Sequence, residues 1–381
     1  MALSFNGCSF INKDKSIVIW CHLSDEETTV VRKTADTWGK QNGFNVKVLS
    51  DRGDTRAYIE AEKAGKGPDV EFGIPYSKLN LLNQNGLLAP ISQYVDESKY
   101  IKTALNSVSL NGKIVALPIN FSTYALYYNT KKILTPPKTL QELIELSIKY
   151  GFEYDVNDVY LSYSFIASQG GYIYKYKNGS YDTKDIGINS SDSVKGYALL
   201  QDFVNKYKIM PKDIDGIKAR NDFISGKTAF YFNGPGDIEL INQSKVDFSV
   251  CAMPKVNGVN LPTFISTDSA FISSNSTKKQ EAFQLLSFLI DETQIPLFKI
   301  NGRLPITINA SMDSIITKNS KLKAFVEQGG QNGVLIPDAN YIQSLQKSRT
   351  IFEDLTSGKI PPAQCGVKLL YDLKQSIKKL K

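Results

Sequence analysis

A strand, helix, strand order at the start of this chain does most to limit its fold. Residues 16–20 (SIVIW) form a compact apolar run that reads as a buried strand. Helical spacing follows over 30–41 and stops at Asn42-Gly43, a pair suited to ending a helix. Residues 44–49 then alternate as a second strand. Two strands joined by a helix pair in parallel, because a parallel connection needs a crossover longer than a hairpin turn. The polar stretch 22–29 reads as a loop. A second helix over 56–64, ended by Gly65 and Gly67-Pro68, and a short strand at 69–72 continue the pattern. The opening of the chain is therefore α/β.

Further on, NGKIVALPI from Asn111 supplies a turn and a strand ending at Pro118, and a second apolar run reaches Tyr128. Thr139, with Glu142 three residues later, marks a helix start of the capping-box type. Residues 168–213 contain a glycine pair, a tyrosine-rich hairpin around Asn178-Gly179, and a helix carrying Val194, Tyr197, Ala198, Leu200 and Phe203. FISTDSAFIS at 264–273 reads as one late strand, and helical spacing returns at 279–290 and 366–380. A chain of 381 residues is long for one core, so two domains are expected.

Composition excludes several functions. The net charge of +7 comes from 45 basic and 38 acidic residues, and the lysines are scattered except near the C-terminus, so no nucleic-acid stripe is expected. His22 is the single histidine, which disfavours triads and zinc sites, and no GxSxG, HExxH, Walker or GxGxxG pattern is present. The four cysteines, Cys8, Cys21, Cys251 and Cys365, form no CxxC pair, so neither a metal nor a cofactor is expected. Carboxylate-pair chemistry stays open, because it needs no histidine.

Several strings fall in one order: SIVIW, GKGPDVEF, NGLLAPI, NGKIVALPI, LYYNTKKIL with PPKTLQEL, SQGGYIYKYKNGSYDTKDIGI, GKTAFYFNGP and a late IPD. From about residue 15 to the C-terminus that order resembles the maltose and maltodextrin-binding proteins, extracellular solute-binding proteins that feed ATP-driven importers. The resemblance implies a two-lobed periplasmic-binding-protein-like α/β fold, with a ligand cleft between lobes and multiple hinge crossings. Residues 16–119 and 269–320 would form the first lobe, 124–263 and 321–381 the second, and 120–123 and 264–268 the hinge. The implied function is capture of an oligosaccharide, maltose or maltodextrin first, and its delivery by lobe closure to the membrane permease subunits of an ABC importer. The chain would act as a monomer and not as an enzyme. Residues 3–9 (LSFNGCS) also resemble the tail of a bacterial lipoprotein signal, the rest of which is expected to have been trimmed. Lipid at Cys8, with 1–15 as a tether, would hold the chain on the outer face of the cell membrane; the alternative is the periplasm.

In that family polar side chains bind sugar hydroxyls while aromatic rings stack on the sugar's apolar face. Carried over by position, the loop after Trp20 supplies Ser24 and Asp25, and the next loop supplies Arg52 and Asp54. The acid and ring before the glycine pair fall on Asp158 and Tyr160. Elsewhere the chain departs from the pattern. Gly73 stands where a tryptophan is expected, Tyr76 and Ser77 where an acid and a base are, and Ser122 where a glutamate is. Gly236, beside Asp237, stands at a second tryptophan position. The late ring falls near Gln346, with Tyr341 and Arg349 as substitutes.

Plainer readings stand beside these. Asp158 could cap a helix, Tyr160 could belong to a core, and Asp25, Glu26 and Glu27 could form the acidic first turn of a helix. The lost rings keep open a receptor for another sugar or small polar solute. Two rivals from other classes remain: a secreted glycosidase using Asp25 and Asp158 across the cleft, and a surface adhesin.

Overall fold

A computed structural model describes the backbone of residues 15–51, 53–177, 180–335 and 339–379, and their side chains except at 176, 177, 180, 339–347 and 379. The first sheet is built from β1 (Ser16–Cys21), β2 (Asn45–Ser50), β3 (Val70–Pro75), β4 (Leu117–Pro118) and, much later in the chain, β10 (Asp268–Ile272). Its order is β2-β1-β3-β10-β4, with β1 parallel to β2 and β3 and with β10 antiparallel to β3 and β4. The second sheet holds β5 (Ala125–Asn129), β6 (Phe152–Glu153), β7 (Phe230–Asn233) and β8 (Phe248–Cys251), in the order β8-β5-β7-β6. A parallel pair, β9 (Thr263–Ile265) with β11 (Gly333–Leu335), lies outside both.

Helix α1 (Asp25–Asn42) makes the crossover between β1 and β2, as the opening pattern requires. Gly43 ends it in the left-handed conformation, at φ 72°. Residues 22–29 are not a loop throughout, because the helix starts at Asp25. Ser24 Oγ accepts from the Glu27 N–H at 3.3 Å while the Glu27 carboxylate accepts from the Ser24 N–H at 3.0 Å. This capping box makes a polar run helical, and Asp25, Glu26 and Glu27 sit where the helix dipole favours anions. Ile17, Ile19 and Cys21 are buried on one face of β1. On the other face Trp20 meets the edge of Tyr58 from α2 (Thr55–Lys63).

In and around the second sheet the tyrosines and phenylalanines are largely core. Tyr127, Tyr154, Tyr231, Phe152, Phe165 and Phe232 are fully buried and pack ring against ring. Helix α3 (Leu140–Tyr150) is capped by Thr139, whose hydroxyl accepts from the Glu142 N–H, although the Glu142 carboxylate reaches the Lys138 N–H instead of closing the box. Helices α4 (Val159–Ser168) and α5 (Ser191–Asn205) flank the hairpin of Tyr174–Lys177 with Ser180–Ile186; its Asn178-Gly179 turn lies outside the described residues.

The run 264–273 is two strands and not one. Its first part pairs with β11, and its second joins the first sheet. Between them Ser266 exchanges both backbone hydrogen bonds with Ser122, at 2.8 and 3.0 Å, so the ladder changes partner at that residue. The chain thus passes between the two sheets at 119–124 and returns at 266–267. Buried Gln328 on α7 (Ser320–Asn332) fixes the return: its Oε1 accepts from the Met253 N–H and its Nε2 donates to the Leu261 carbonyl. The helix expected at 279–290 runs on as α6 (Lys279–Asn301), passing Pro296 before Gly302 caps it. Helices α8 (Ala339–Thr356) and α9 (Pro362–Lys379) complete the chain.

Candidate ligand cleft

Parallel strands point their carboxyl ends the same way, and the loops that follow β1, β2 and β3 build one wall of a cleft. His22 and Leu23 come from the first loop, Gly53 and Asp54 from the second, and Gly73 to Pro75 and Lys78 from the third. Asp268 and Arg303 close the floor of this space, whose volume is about 780 Å³. Arg303 forks between two acids: its Nε and Nη2 bond the Glu27 carboxylate and its Nη1 bonds Asp268. Glu27 is fully buried, and the Arg303 contact, foremost among the bonds that oppose burial, holds its carboxyl below the usual carboxylate range. Asn120 Nδ2 donates to Asp268 at 3.1 Å, which ties the triad to the crossing.

A second cluster of the expected residues starts at α4. Asp158 caps this helix, its Oδ1 accepting from the Tyr160 N–H at 2.8 Å. Burial pushes its carboxyl up despite that bond, and the charge of Asp155 adds to the rise. Tyr160 is half-buried and meets the edge of Phe264 at 6.0 Å between ring centres. Tyr124 lies close enough for the charge of Asp158 to bear on its hydroxyl. Arg349 donates to Asp155 at 2.8 Å and also pairs with Glu353. Both groups reach the crossing at 264–268, where Phe264 touches Tyr160 and Asp268 touches Arg303. Carboxylates and a guanidinium group line the first space, and an acid with a partly exposed ring lies at α4, the mixed polar and apolar chemistry that a polyhydroxylated ligand needs.

Asp158, Tyr160 and Arg349 lie near one another at the start of α4, and Asp54 lines the space after β1, β2 and β3. The plain reading of Asp158 also holds, since it caps α4, and Asp54 likewise caps α2. Ser24 and Asp25 are exposed but committed to the start of α1, with Asp25 Oδ1 accepting from Ser50, and the lining there is His22 and Leu23. Tyr76 and Ser77 form a short turn after β3, with the Tyr76 N–H on the Thr267 carbonyl. Ser122 is exposed at the crossing and Gly236 caps the helix Asp237–Asn242. Arg52 and the side chains of Tyr341 and Gln346 lie outside the described residues, as does Cys8; Cys21, Cys251 and Cys365 are free thiols.

Sequence reasoning missed His22, Lys78, Asp268 and Arg303. A signal existed for His22, the first polar residue past a buried strand. None exists for Arg303, which reaches Glu27 across 276 positions.

The two glycines at the tryptophan positions differ physically. Gly73 has φ 100°, and a Cβ there would lie 2.9 Å from Leu23 Cδ2, so the site rejects any side chain. Gly236 has φ −60° with open space around its would-be Cβ. A Gly236→Trp chain should keep its melting temperature, whereas Gly73→Trp should lose about 2 kcal/mol or more to overpacking and strain. Thermal unfolding of both variants tests this, and equal stability would refute it.

Residues 33–324 match the family described as bacterial extracellular solute-binding protein. The chain belongs to that family. A galactooligosaccharide-binding protein of Bacillus subtilis (strain 168) is 29% identical over 379 residues, which covers 93% of this chain and 87% of the relative. A maltooligosaccharide ABC transporter solute-binding lipoprotein of Streptococcus pneumoniae (strain R6) is 25% identical, covering 94% and 88%. The solved maltose-maltodextrin binding protein of Alicyclobacillus acidocaldarius matches with a TM-score of 0.76 at 28% identity, covering 94% of this chain and all of that one. A cyclo/maltodextrin-binding protein complexed with maltotetraose matches with a TM-score of 0.87 at 25% identity, covering 97% and 99%. This solute-binding protein has the two-lobed fold of its relatives.

Proposed function

We propose that this solute-binding protein captures an oligosaccharide in the cleft and delivers it to the permease subunits of an ABC importer. The reading rests on Asp158 and Tyr160 at the start of α4 and on the charged space after β1 to β3, each of which reaches the crossing at 264–268; the two are taken to face each other across the cleft. Residues 16–119 and 269–320 are assigned to one lobe and 124–263 and 321–381 to the other, with 120–123 and 264–268 as the hinge. The exchange of hydrogen bonds between Ser122 and Ser266 supports that placement. A ligand that touches both lobes stabilises the closed form by its differential affinity, and closure is what the importer reads. The chain binds its sugar without turning it over.

Maltodextrin is the first reading of the sugar. A galactooligosaccharide is the second, favoured by the barred ring position at Gly73 and by the Bacillus relative. Melting temperature is to be measured with maltotetraose and, separately, with a β-linked galactotetraose. The effective sugar raises it by mass action, and Tyr160→Ala weakens binding at least about tenfold, as loss of an aromatic anchor does. Silence toward both sugars would refute the reading, and release of shorter sugars by the native chain but not by Asp158→Asn would make it an enzyme. We also propose lipid at Cys8: in cells that make the full precursor, Cys8→Ala should move the protein from the membrane fraction to the medium.

A further inference from the structure

A second group of side chains lies behind the cleft wall and shares only His22 with it. On the face of the first sheet covered by α2, Glu71 of β3 is fully buried and its Oε2 bonds His22 Nε2. Asp51, at the end of β2, brings its Oδ2 within 3.8 Å of the same nitrogen. One ligand-type atom from each of His22, Asp51 and Glu71 lies within 4.8 Å of the other two. Glu62 of α2 is buried in the same layer.

Buried carboxylates need partners, since an unpaired one forfeits its hydration without return. Here that need is unmet among the described residues: Glu71 Oε1 and Asp51 Oδ2 are buried without a hydrogen-bond partner, and so is Glu62 Oε1. Asn275 reaches only the other oxygen of Glu62. A single imidazole thus faces the carboxylates of Asp51 and Glu71, with Glu62 buried close enough for its charge to bear on Glu71. The fully buried Glu71, with one oxygen on His22 and the other unpartnered, marks this as more than a surface cluster of acids.

We infer that His22, Asp51 and Glu71 form a binding site for a divalent transition-metal ion of zinc's class. Three ligands of the imidazole and carboxylate type, with a fourth position left for water, suit zinc. At metal–ligand distances of about 2.0–2.2 Å neighbouring donors stand about 3.3–3.5 Å apart. The His22–Asp51 contact therefore shortens slightly on binding while the His22–Glu71 contact widens. A doubly charged ion with a neutral imidazole and two carboxylates sums to zero, which satisfies the buried charge. The ion enters beside His22, which lines the cleft. Once bound, it joins the loop after β1 to the loop that leads into α2.

The full chain is stripped with EDTA, dialysed and titrated with Zn²⁺ by calorimetry, and with Co²⁺ by its visible d–d absorption. The expected result is one equivalent bound at micromolar or tighter affinity, with a higher melting temperature. Glu71→Gln and Asp51→Asn, each checked for a native circular dichroism spectrum, should each weaken binding at least about 100-fold, beyond the cost of losing an outer-shell partner. Asp51 is partly exposed, so its variant folds even where Glu71→Gln does not. Absence of binding to the native chain, or tight binding retained in either folded variant, overturns the assignment.

Discussion

Replacing Arg303 with methionine should cost this protein about 3 kcal/mol, the lower end of the range for breaking a buried ion pair, because the side chain is partly exposed. The loss comes less from the missing guanidinium than from what it leaves behind. Glu27 is sealed under the sheet with its carboxylate shared between Arg303 and the Ser24 N–H. Without the cation it is a charge in a site that water does not reach. Changing Glu27 to Gln in the same chain should therefore recover a large part of the loss, a sign that simple loss of packing would not give. Denaturant midpoints of the two single variants and the double variant decide the matter. A loss under about 1 kcal/mol for Arg303→Met would mean that the triad is solvated like a surface pair. Because Arg303 also holds Asp268, the variant tests whether that floor anchors the crossing.

Stability should fall as pH rises from 4.5 to 8, and Glu153→Gln should remove about 2 to 3 kcal/mol of that fall, the buried Glu71, also raised to about 7, keeping the rest. Glu153 of β6 is buried, and burial, with the nearby Asp222 carboxylate, raises its folded pKa to about 7. In the unfolded chain it ionises near the ordinary glutamate value of about 4.3. Between those values the folded protein keeps a proton that the unfolded chain has released. Stability is thus full below the unfolded value and is lost as pH climbs through the folded one. Asp222 opposes this at the acid end. Burial acts to raise it, but Lys227, Glu153 and Lys218 together hold it below its usual range, so its contribution is lost as pH falls through its folded pKa. The melting temperature should peak near pH 5, and a flat profile from 5 to 8 in the native chain would refute the argument.

The sequence made the parallel α/β opening legible, because a helix stop at Asn42-Gly43 and alternating strands are local signals. Asp158 and Tyr160 were legible only through likeness, since a capping acid followed by a tyrosine is ordinary in any helix. The start of α1 was ambiguous: SDEET reads either as a loop or as the acidic first turn of a helix, and the reciprocal bonds between Ser24 and Glu27 decide for the helix. The break at Ser266 was hidden because its cause is Ser122, which is 144 positions away and carries no pattern of its own. Arg303 was invisible for the same reason. Single-residue partnerships over such separations leave no periodic trace.

The late arrival of β10 also sets an order of assembly. Every strand of the second sheet lies between Ala125 and Cys251, so that sheet can close as soon as this continuous stretch is available. The first sheet begins 109 residues earlier, at Ser16, yet it lacks the strand between β3 and β4 until Ile272 has been made. Pairings over such separations pay their loop-closure entropy before they gain any contact. A chain extended from its N-terminus therefore finishes its middle first. Its opening third meanwhile stays a half-built sheet with the edge of β3 exposed, the stage at which a chaperone or an aggregating neighbour would find it.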